Sequence, residues 1–121
     1  MKKVLLVEDE EELIQIVETV MQDEGFEVRK ALSAEDALET CRGYIPDIII
    51  CDIKMGEMDG LTMLGELRDD PRLSNAPFIF LTAIDSFGTK DKAKKLGANA
   101  YITKPFDVDE LVATVKKLLA K

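Results

Sequence analysis

Short apolar runs rich in β-branched residues alternate along this chain with longer stretches in which apolar residues recur every three to four positions. The short runs predict strands, and the longer stretches predict amphipathic helices. The predicted strands occupy residues 3–7, 27–31, 47–51, 78–81 and 100–103. Leu13, Val17 and Met21 share one face of the first helix, and Leu111 and Val115 share one face of the last. The pattern therefore predicts five strands alternating with five helices.

Two polar residues mark helix beginnings. Ser33 stands directly before the second helix, which is predicted at residues 34–42. Asp107 stands before the fifth, where Asp107 and Glu110 have the spacing of a capping box. Ser and Asp are favoured at these positions because their side-chain oxygens accept hydrogen bonds from the free N–H groups of the first turn.

Glycines mark helix ends and one doubtful helix start. Gly25 and Gly97 follow predicted helices at positions where a left-handed backbone conformation is common. The third helix is predicted at residues 61–68. Gly88 interrupts the start of the fourth helix, because glycine disfavours helix interiors, and this helix is therefore predicted at residues 90–96.

This alternation is typical of an α/β fold with a parallel sheet, and residues 1–121 fit one such domain. The second strand is more polar than the others and is therefore expected at an edge of the sheet. That placement gives the order 2-1-3-4-5 of a doubly wound (βα)5, flavodoxin-like domain. Ligands of such sheets bind beyond the carboxyl ends of the strands, where strands one and three lie side by side.

Composition excludes several classes of function. A net charge of −8 argues against nucleic acid as a direct partner, because phosphate contacts require a basic surface. The absence of histidine removes imidazole catalysis, imidazole metal ligation and any phosphohistidine of the chain's own. The first apolar run is too short for a secretion signal, and no run approaches membrane-spanning length. We therefore expect a cytoplasmic protein without membrane contact, whose Cys41 and Cys51 are reduced, buried thiols.

Polar side chains follow four of the predicted strands. Glu8 and Asp9 follow the first strand, Asp52 the third, Thr82 the fourth and Lys104 the fifth. Parallel strands bring their carboxyl ends to one rim, so these side chains are expected to converge. Clustered carboxylates repel one another unless a cation joins them, and carboxylate oxygens with water suit Mg²⁺. An aspartate in such a setting can attack phosphorus and form an acyl phosphate.

The ordered set of sequence motifs resembles the receiver domains of response regulators in two-component signalling, over the whole chain. The motifs are Val4-Leu5-Leu6-Val7-Glu8-Asp9, Asp52 with Met58-Asp59-Gly60, Leu81-Thr82-Ala83, and Tyr101-Ile102-Thr103-Lys104-Pro105-Phe106. The resemblance implies that Asp52 is the phosphoacceptor. It implies that Mg²⁺, or Mn²⁺ in its place, is bound by Asp9, Asp52 and the main-chain carbonyl of Lys54, with Glu8 acting directly or through water.

The resemblance also implies how the phosphoryl group is held and sensed. Thr82 would hydrogen-bond it, Lys104 would pair with it, and Tyr101 would be the aromatic switch that turns inward when Thr82 moves. The Lys104–Pro105 bond is expected to be cis. The sequence departs from the family at Gly56, where proline is usual, and we expect a looser loop there because glycine leaves the backbone freer.

A sensor histidine kinase or histidine phosphotransfer protein is the implied phosphoryl donor, and a downstream output protein or domain is the implied receiver of the signal. The switching surface would be formed by helix four, strand five and helix five. Turnover of external substrates is not expected, so the protein is not predicted to be an enzyme. The sequence leaves open whether the domain stands alone or belongs to a longer protein. The alternative function is an interaction module that works without phosphorylation.

Two rival chemistries fit the residues poorly. A flavodoxin needs free amides and hydroxyls after the first strand, whereas residues 8–12 here are all acidic. Phosphatases with an aspartate nucleophile resemble one another in a second aspartate two positions later, where this chain has Lys54.

The fourth helix carries four lysines, which we interpret first as a solvent-exposed face: Lys90, Lys92, Lys94 and Lys95. Ile84, two residues beyond Thr82, is expected to shield a phosphoryl group from water.

Overall fold

The computed structural model describes residues 1–120, in which five strands and five helices strictly alternate. The strands are β1 (Lys3–Val7), β2 (Glu27–Ala31), β3 (Ile48–Cys51), β4 (Phe78–Thr82) and β5 (Ala100–Thr103). The helices are α1 (Glu11–Asp23), α2 (Ala34–Thr40), α3 (Gly60–Arg68), α4 (Phe87–Leu96) and α5 (Val108–Leu119). The predicted alternation is therefore confirmed.

The strands form one parallel sheet in the order β2-β1-β3-β4-β5. This order and the doubly wound, flavodoxin-like α/β class agree with the prediction. β2 is the edge strand beside β1 and is exposed at three of its five positions, whereas β3 and β4 are buried throughout. Val7 pairs with Cys51, which pairs in turn with Phe80, so neighbouring strands end at nearly the same level. The residues after these strands are therefore brought together.

Helices cover both faces of the sheet and give it two apolar cores. Successive strand residues point to opposite faces, so Leu5 and Phe80 belong to one core and Leu6 and Leu81 to the other. The first core is closed by α2, α3 and α4, and the second by α1 and α5. β1, β3 and β4, which lead to candidate site residues, are thereby buried along all or nearly all of their length.

α4 begins at Phe87, three residues before the predicted start of the segment 90–96. Ser86 caps the helix, because its Oγ accepts a hydrogen bond from the Thr89 N–H at 3.2 Å. Gly88 therefore lies in the first turn, where the Ser86 cap offsets the cost of a single glycine. The predicted start was wrong because it considered Gly88 without the Ser86 cap.

The remaining helix ends follow the predicted signals closely. Ser33 accepts a hydrogen bond from the Asp36 N–H, and Asp107 caps α5 in the same way. Gly25 and Gly97 have φ angles of 89° and 104°, the left-handed conformation expected after a helix. α2 ends two residues earlier than predicted, where the chain closes into a turn. β3 begins, and β4 ends, one residue later than predicted, and α3 starts one residue earlier.

Two further expectations concern membranes and thiols. No helix within residues 1–120 combines the length and the apolarity that a bilayer crossing requires. Cys41 and Cys51 are both buried and both free of disulfides. Burial raises the pKa of each thiol, so both stay protonated and pack as small apolar groups.

Candidate functional site

Four strand ends deliver side chains to one rim of the sheet. The ladder continues one residue beyond three strands: the Glu8 N–H donates to the Ala31 carbonyl at 3.0 Å, and the Asp52 N–H to the Val7 carbonyl at 3.1 Å. The Lys104 N–H donates to the Thr82 carbonyl at 2.7 Å. These bonds hold the backbone of Glu8, Asp52 and Lys104 in the register of the sheet, so their side chains start from one common level.

Lys104 bridges two buried carboxylates. Its ammonium lies 2.9 Å from Oδ2 of Asp52 and 3.1 Å from Oε1 of Glu8, and hydrogen-bonds both. Glu8 is 2% exposed and Asp52 is 9% exposed. Two anions and one cation in this small volume leave an excess of negative charge at the rim. The arrangement can therefore accept a further cation.

The pKa values of Glu8 and Lys104 follow from this geometry. Burial raises the pKa of the Glu8 carboxyl above its usual value, and the hydrogen bond from the Glu10 N–H and the charge of Lys104 offset this only in part. Burial would lower the pKa of Lys104, but its hydrogen bond to Asp52 and the charges of Asp52 and Glu8 outweigh burial and raise it. Lys104 is therefore a permanent cation near neutral pH.

The side chain and the main-chain carbonyl of Asp52 are both held by hydrogen bonds from neighbouring residues. Its Oδ1 accepts a hydrogen bond from the Ile53 N–H at 2.6 Å, and its main-chain carbonyl accepts one from the Cys51 thiol at 2.9 Å. Gly60 packs directly against the same carbonyl, and a Cβ on Gly60 would collide with that oxygen. Only glycine fits there without moving the backbone of Asp52.

Thr82 and Tyr101 both hydrogen-bond the main chain of Ile84, on the two peptide units that flank this residue. Thr82 is 1% exposed, and its Oγ1 accepts a hydrogen bond from the Ile84 N–H at 3.3 Å. The half-buried Tyr101 donates its hydroxyl to the Ile84 carbonyl at 2.6 Å. Burial and the charges of Asp85 and Asp52 raise the pKa of Tyr101, which keeps that donor protonated. Ile84 thus connects the rim to the surface of β5.

Asp9 and Lys54 lie at the rim without such partners. Both side chains are exposed, and no side chain among residues 1–120 donates a hydrogen bond to the Asp9 carboxylate. In that part of the chain no three His, Cys, Asp or Glu side chains form a ready-made metal cage. Mg²⁺ does not require one, because it binds one or two carboxylates and completes its shell with water and substrate oxygens. The oxygen donors at this rim therefore fit Mg²⁺.

The loop after Asp52 follows a path that proline could not take. Gly56 has a φ of 53°, in the left-handed region, whereas the proline ring fixes φ near −65°. Met55 beside it is buried and Met58 packs on the core, so the loop is anchored on both sides of the glycine. Glycine at this position therefore supports a specific turn, where the sequence suggested only looseness.

Three features of the rim have little or no signal in the sequence. The Glu8–Lys104 ion pair joins residues 96 positions apart. The contacts of Ile84 with Thr82 and Tyr101 use its main-chain N–H and carbonyl, which almost every residue type has. Gly60 belongs to the Met58-Asp59-Gly60 motif, but its contact with Asp52 becomes visible only in the structure.

The Lys104–Pro105 peptide bond is cis, as the family resemblance implies.

Comparisons with known proteins agree on one family. The model of the response regulator receiver domain matches residues 4–116. The response regulator Rre1 of Synechocystis sp. is 38% identical over 118 residues, which is 97% of this chain and 51% of Rre1. The chain therefore spans about half the length of that relative.

Two solved structures match nearly the whole chain. The chemotaxis response regulator CheY4 of Vibrio cholerae has a TM-score of 0.91 at 31% identity, and the match covers 98% of each chain. The response regulator TrrA of Thermotoga maritima, solved in complex with Mg²⁺ and BeF, has a TM-score of 0.87 at 34% identity, with 98% of this chain and 99% of TrrA covered. Fold and sequence thus point to the same family.

Proposed function

Because this chain belongs to the response regulator receiver domain family of two-component signalling, we propose that Asp52 accepts a phosphoryl group and thereby switches a partner-binding surface. The observation that carries this proposal is the Asp52 carboxylate, buried at the rim and held by the Lys104 ammonium at 2.9 Å. A buried carboxylate paired with a fixed cation is positioned to attack, and its neighbour can neutralise the phosphoryl oxygens.

The donor is a phosphohistidine of a sensor histidine kinase or histidine phosphotransfer protein, or a small acyl phosphate. An oxygen of Asp52 forms a bond to phosphorus while the bond from phosphorus to the donor breaks, and the donor leaves with its electron pair. The product is an acyl phosphate on Asp52. No histidine occurs in this chain, so a histidine donor has to belong to another protein.

The residues that would hold Mg²⁺ are Asp9, Asp52 and the main-chain carbonyl of Lys54. A bound Mg²⁺ would neutralise and orient the phosphoryl oxygens. Glu8 is better placed to act through water: its Oε2 already accepts the N–H groups of Asp9 and Glu10 at 3.2 Å, and its Oε1 accepts Lys104. Its remaining role is to hold Lys104 beside Asp52.

Phosphorylation changes the balance of charge at this rim. The group adds about −1.5 to −2 charges, which draw Lys104 and the hydroxyl of Thr82 toward the new oxygens. Thr82 accepts from the N–H of Ile84, whose carbonyl accepts from Tyr101, so a movement of Thr82 is transmitted to β5. The result is a population shift of the surface formed by α4, β5 and α5, which an output protein or domain would read.

The test of the phosphoacceptor is incubation with acetyl phosphate and Mg²⁺, followed by intact mass measurement of the wild type and Asp52→Asn. We expect one phosphate adduct on the wild type, its absence from the variant, and strong reduction when EDTA removes the metal. An adduct of equal yield on Asp52→Asn would contradict the assignment. A wild type that folds, binds Mg²⁺ and never gains phosphate would favour the phosphorylation-independent module.

A further inference from the structure

α3 begins in direct contact with the phosphoacceptor. Its first residue, Gly60, donates its N–H to the Ile53 carbonyl at 2.7 Å and leaves no room for a Cβ against the Asp52 carbonyl. Asp59 caps the helix by accepting the Thr62 N–H at 2.8 Å. A displacement of the Asp52 backbone therefore has to displace the start of α3 as well.

The body of α3 is suited to move as a unit. It spans Gly60–Arg68, about 12 Å of helix, and the side chains of Met63 and Leu64 are fully buried. Gly65 faces α4, where a Cβ would meet Leu96 at 3.8 Å. Close packing of this kind transmits small displacements because the side chains have no free volume to absorb them.

The last residue of α3, Arg68, donates hydrogen bonds to four acceptor atoms at the opposite end of the sheet. Its Nη1 donates to the carbonyls of Leu73 and Ala76 at 2.9 and 2.7 Å. Its Nη2 donates to the Gly97 carbonyl at 2.7 Å and to Oδ1 of Asn99 at 3.3 Å. The guanidinium therefore joins α3 to the turn in which α4 ends and to the segment before β5.

Gly97 and Asn99 make this junction tight. Gly97 ends α4 with a φ of 104°, and a Cβ there would lie 3.0 Å from Nε of Arg68. Asn99 accepts the Phe78 N–H on its Oδ1 at 2.8 Å and donates its own N–H to the Phe78 carbonyl at 2.8 Å. The starts of β4 and β5 and the end of α4 are thus joined around Arg68.

We propose that α3 and Arg68 form a second connection between Asp52 and the surface of α4 and β5, separate from the route through Thr82 and Tyr101. The Thr82 route reaches α4 at its beginning, near Ile84, and the α3 route reaches it at its end, at Gly97. Arg68 is a positioning residue in this route, because it touches no reacting atom. The inference rests on the proposed phosphorylation of Asp52.

The test compares amide chemical shifts of the ¹⁵N-labelled protein before and after addition of MgCl₂ and beryllofluoride, a mimic of the phosphoryl group. In the wild type we expect shifts at Thr82 and Ile84 and also at Gly97 and Asn99. In Arg68→Met the shifts at Gly97 and Asn99 should be mostly lost, while those at Thr82 and Ile84 remain.

Two control variants make the outcome decisive. Arg72→Met removes a nearby exposed arginine that pairs with Asp70 and donates to the Arg42 carbonyl at 3.0 Å, and it should leave all the shifts as in the wild type. Arg68→Lys keeps the charge without the planar fork and should give intermediate shifts at Gly97 and Asn99. Arg68→Lys also serves as the test variant if Arg68→Met does not fold.

Two results would overturn the connection, and a third would contradict its separateness from the Thr82 route. One is an undiminished shift at Gly97 and Asn99 in both Arg68 variants, and the other is a wild type that binds beryllofluoride without any shift there. Failure of the proposed function looks different, because the wild type would then show no beryllofluoride-dependent shift at Thr82 or Ile84 either. A uniform loss of shifts at all four amides in Arg68→Lys would likewise contradict a separate route.

Discussion

At each end of the sheet one cation binds several acceptors, and the two sets of acceptors differ. At the carboxyl end, the Lys104 ammonium lies between the carboxylates of Glu8 and Asp52. At the amino end of β4 and β5, the Arg68 guanidinium is bound to main-chain carbonyls and one amide oxygen. Carboxylates change charge with protonation, metal binding or phosphorylation, whereas carbonyls do not. The charge at the carboxyl end can therefore change, whereas the charge at the amino end stays constant.

The largest effect on stability is expected at the amino end of β4 and β5. Arg68→Met leaves three carbonyls without their charged donor and should lower the free energy of unfolding by about 3 kcal/mol. Urea denaturation measures the loss, with Arg72→Met as the exposed control, for which a smaller loss is expected from its pair with Asp70 and its bond to the Arg42 carbonyl. The loss should be nearly equal at low and high salt, since the acceptors are neutral. A loss that disappears in high salt would break the comparison.

The loop after Asp52, at the carboxyl end of the sheet, gives the next largest effect on stability. Gly56→Pro cannot adopt a φ of 53° and should lower the free energy of unfolding by about 2 kcal/mol, and Gly56→Ala by about 1 kcal/mol. Urea denaturation of the two variants without metal tests this order. Gly43, which has open space around a Cβ and no positive φ, provides the control substitution Gly43→Ala. Equal or greater stability of Gly56→Pro would show that the loop takes another path.

A smaller effect is expected on the lifetime of the phosphorylated form. Ile84 is half-buried two residues beyond Thr82, and its side chain is expected to limit the approach of water to the acyl phosphate. Ile84→Ala should shorten that lifetime by about fivefold, equivalent to about 1 kcal/mol. The decay of the phosphate adduct by mass measurement after removal of acetyl phosphate gives the rate. An unchanged lifetime would remove this role from Ile84.

The smallest effect is a pH dependence at Glu8. Its pKa is raised in the folded protein by burial, so the folded state binds its proton more tightly than the unfolded state does. The stabilisation is fully present below the unfolded value of about 4.5 and is lost as the pH rises through the folded pKa. Without metal, stability of the wild type relative to Glu8→Gln should therefore fall as pH rises from 4.5 towards neutrality. A relative stability that rises over this interval would contradict the burial of Glu8 described here.

The strands were predictable because each depends on a local property. β1 is a run of apolar residues between Lys3 and Glu8, and its bounds follow from the change to polar residues alone. The rim was predictable in outline for a related reason: parallel strands with known order place their following residues together. The family resemblance then supplied roles that residue types by themselves leave open.

What escaped prediction depends on contacts between distant parts of the chain. The Glu8–Lys104 pair needs the sheet to be assembled before the two residues are neighbours. The acceptors of Arg68 are mostly main-chain carbonyls, which leave no trace in residue identity. The start of α4 was missed for a local reason, because two opposing signals, Ser86 and Gly88, stand two residues apart.

The most direct test of the central claim is to locate the phosphoryl group chemically. After incubation with acetyl phosphate and Mg²⁺, borohydride reduces an acyl phosphate to the alcohol, and peptide mass mapping identifies the altered residue. We predict that Asp52 alone is converted to homoserine, with Glu8, Asp9 and Asp59 unchanged in the same digest. Conversion at Asp9 or Glu8 in place of Asp52 would contradict the account.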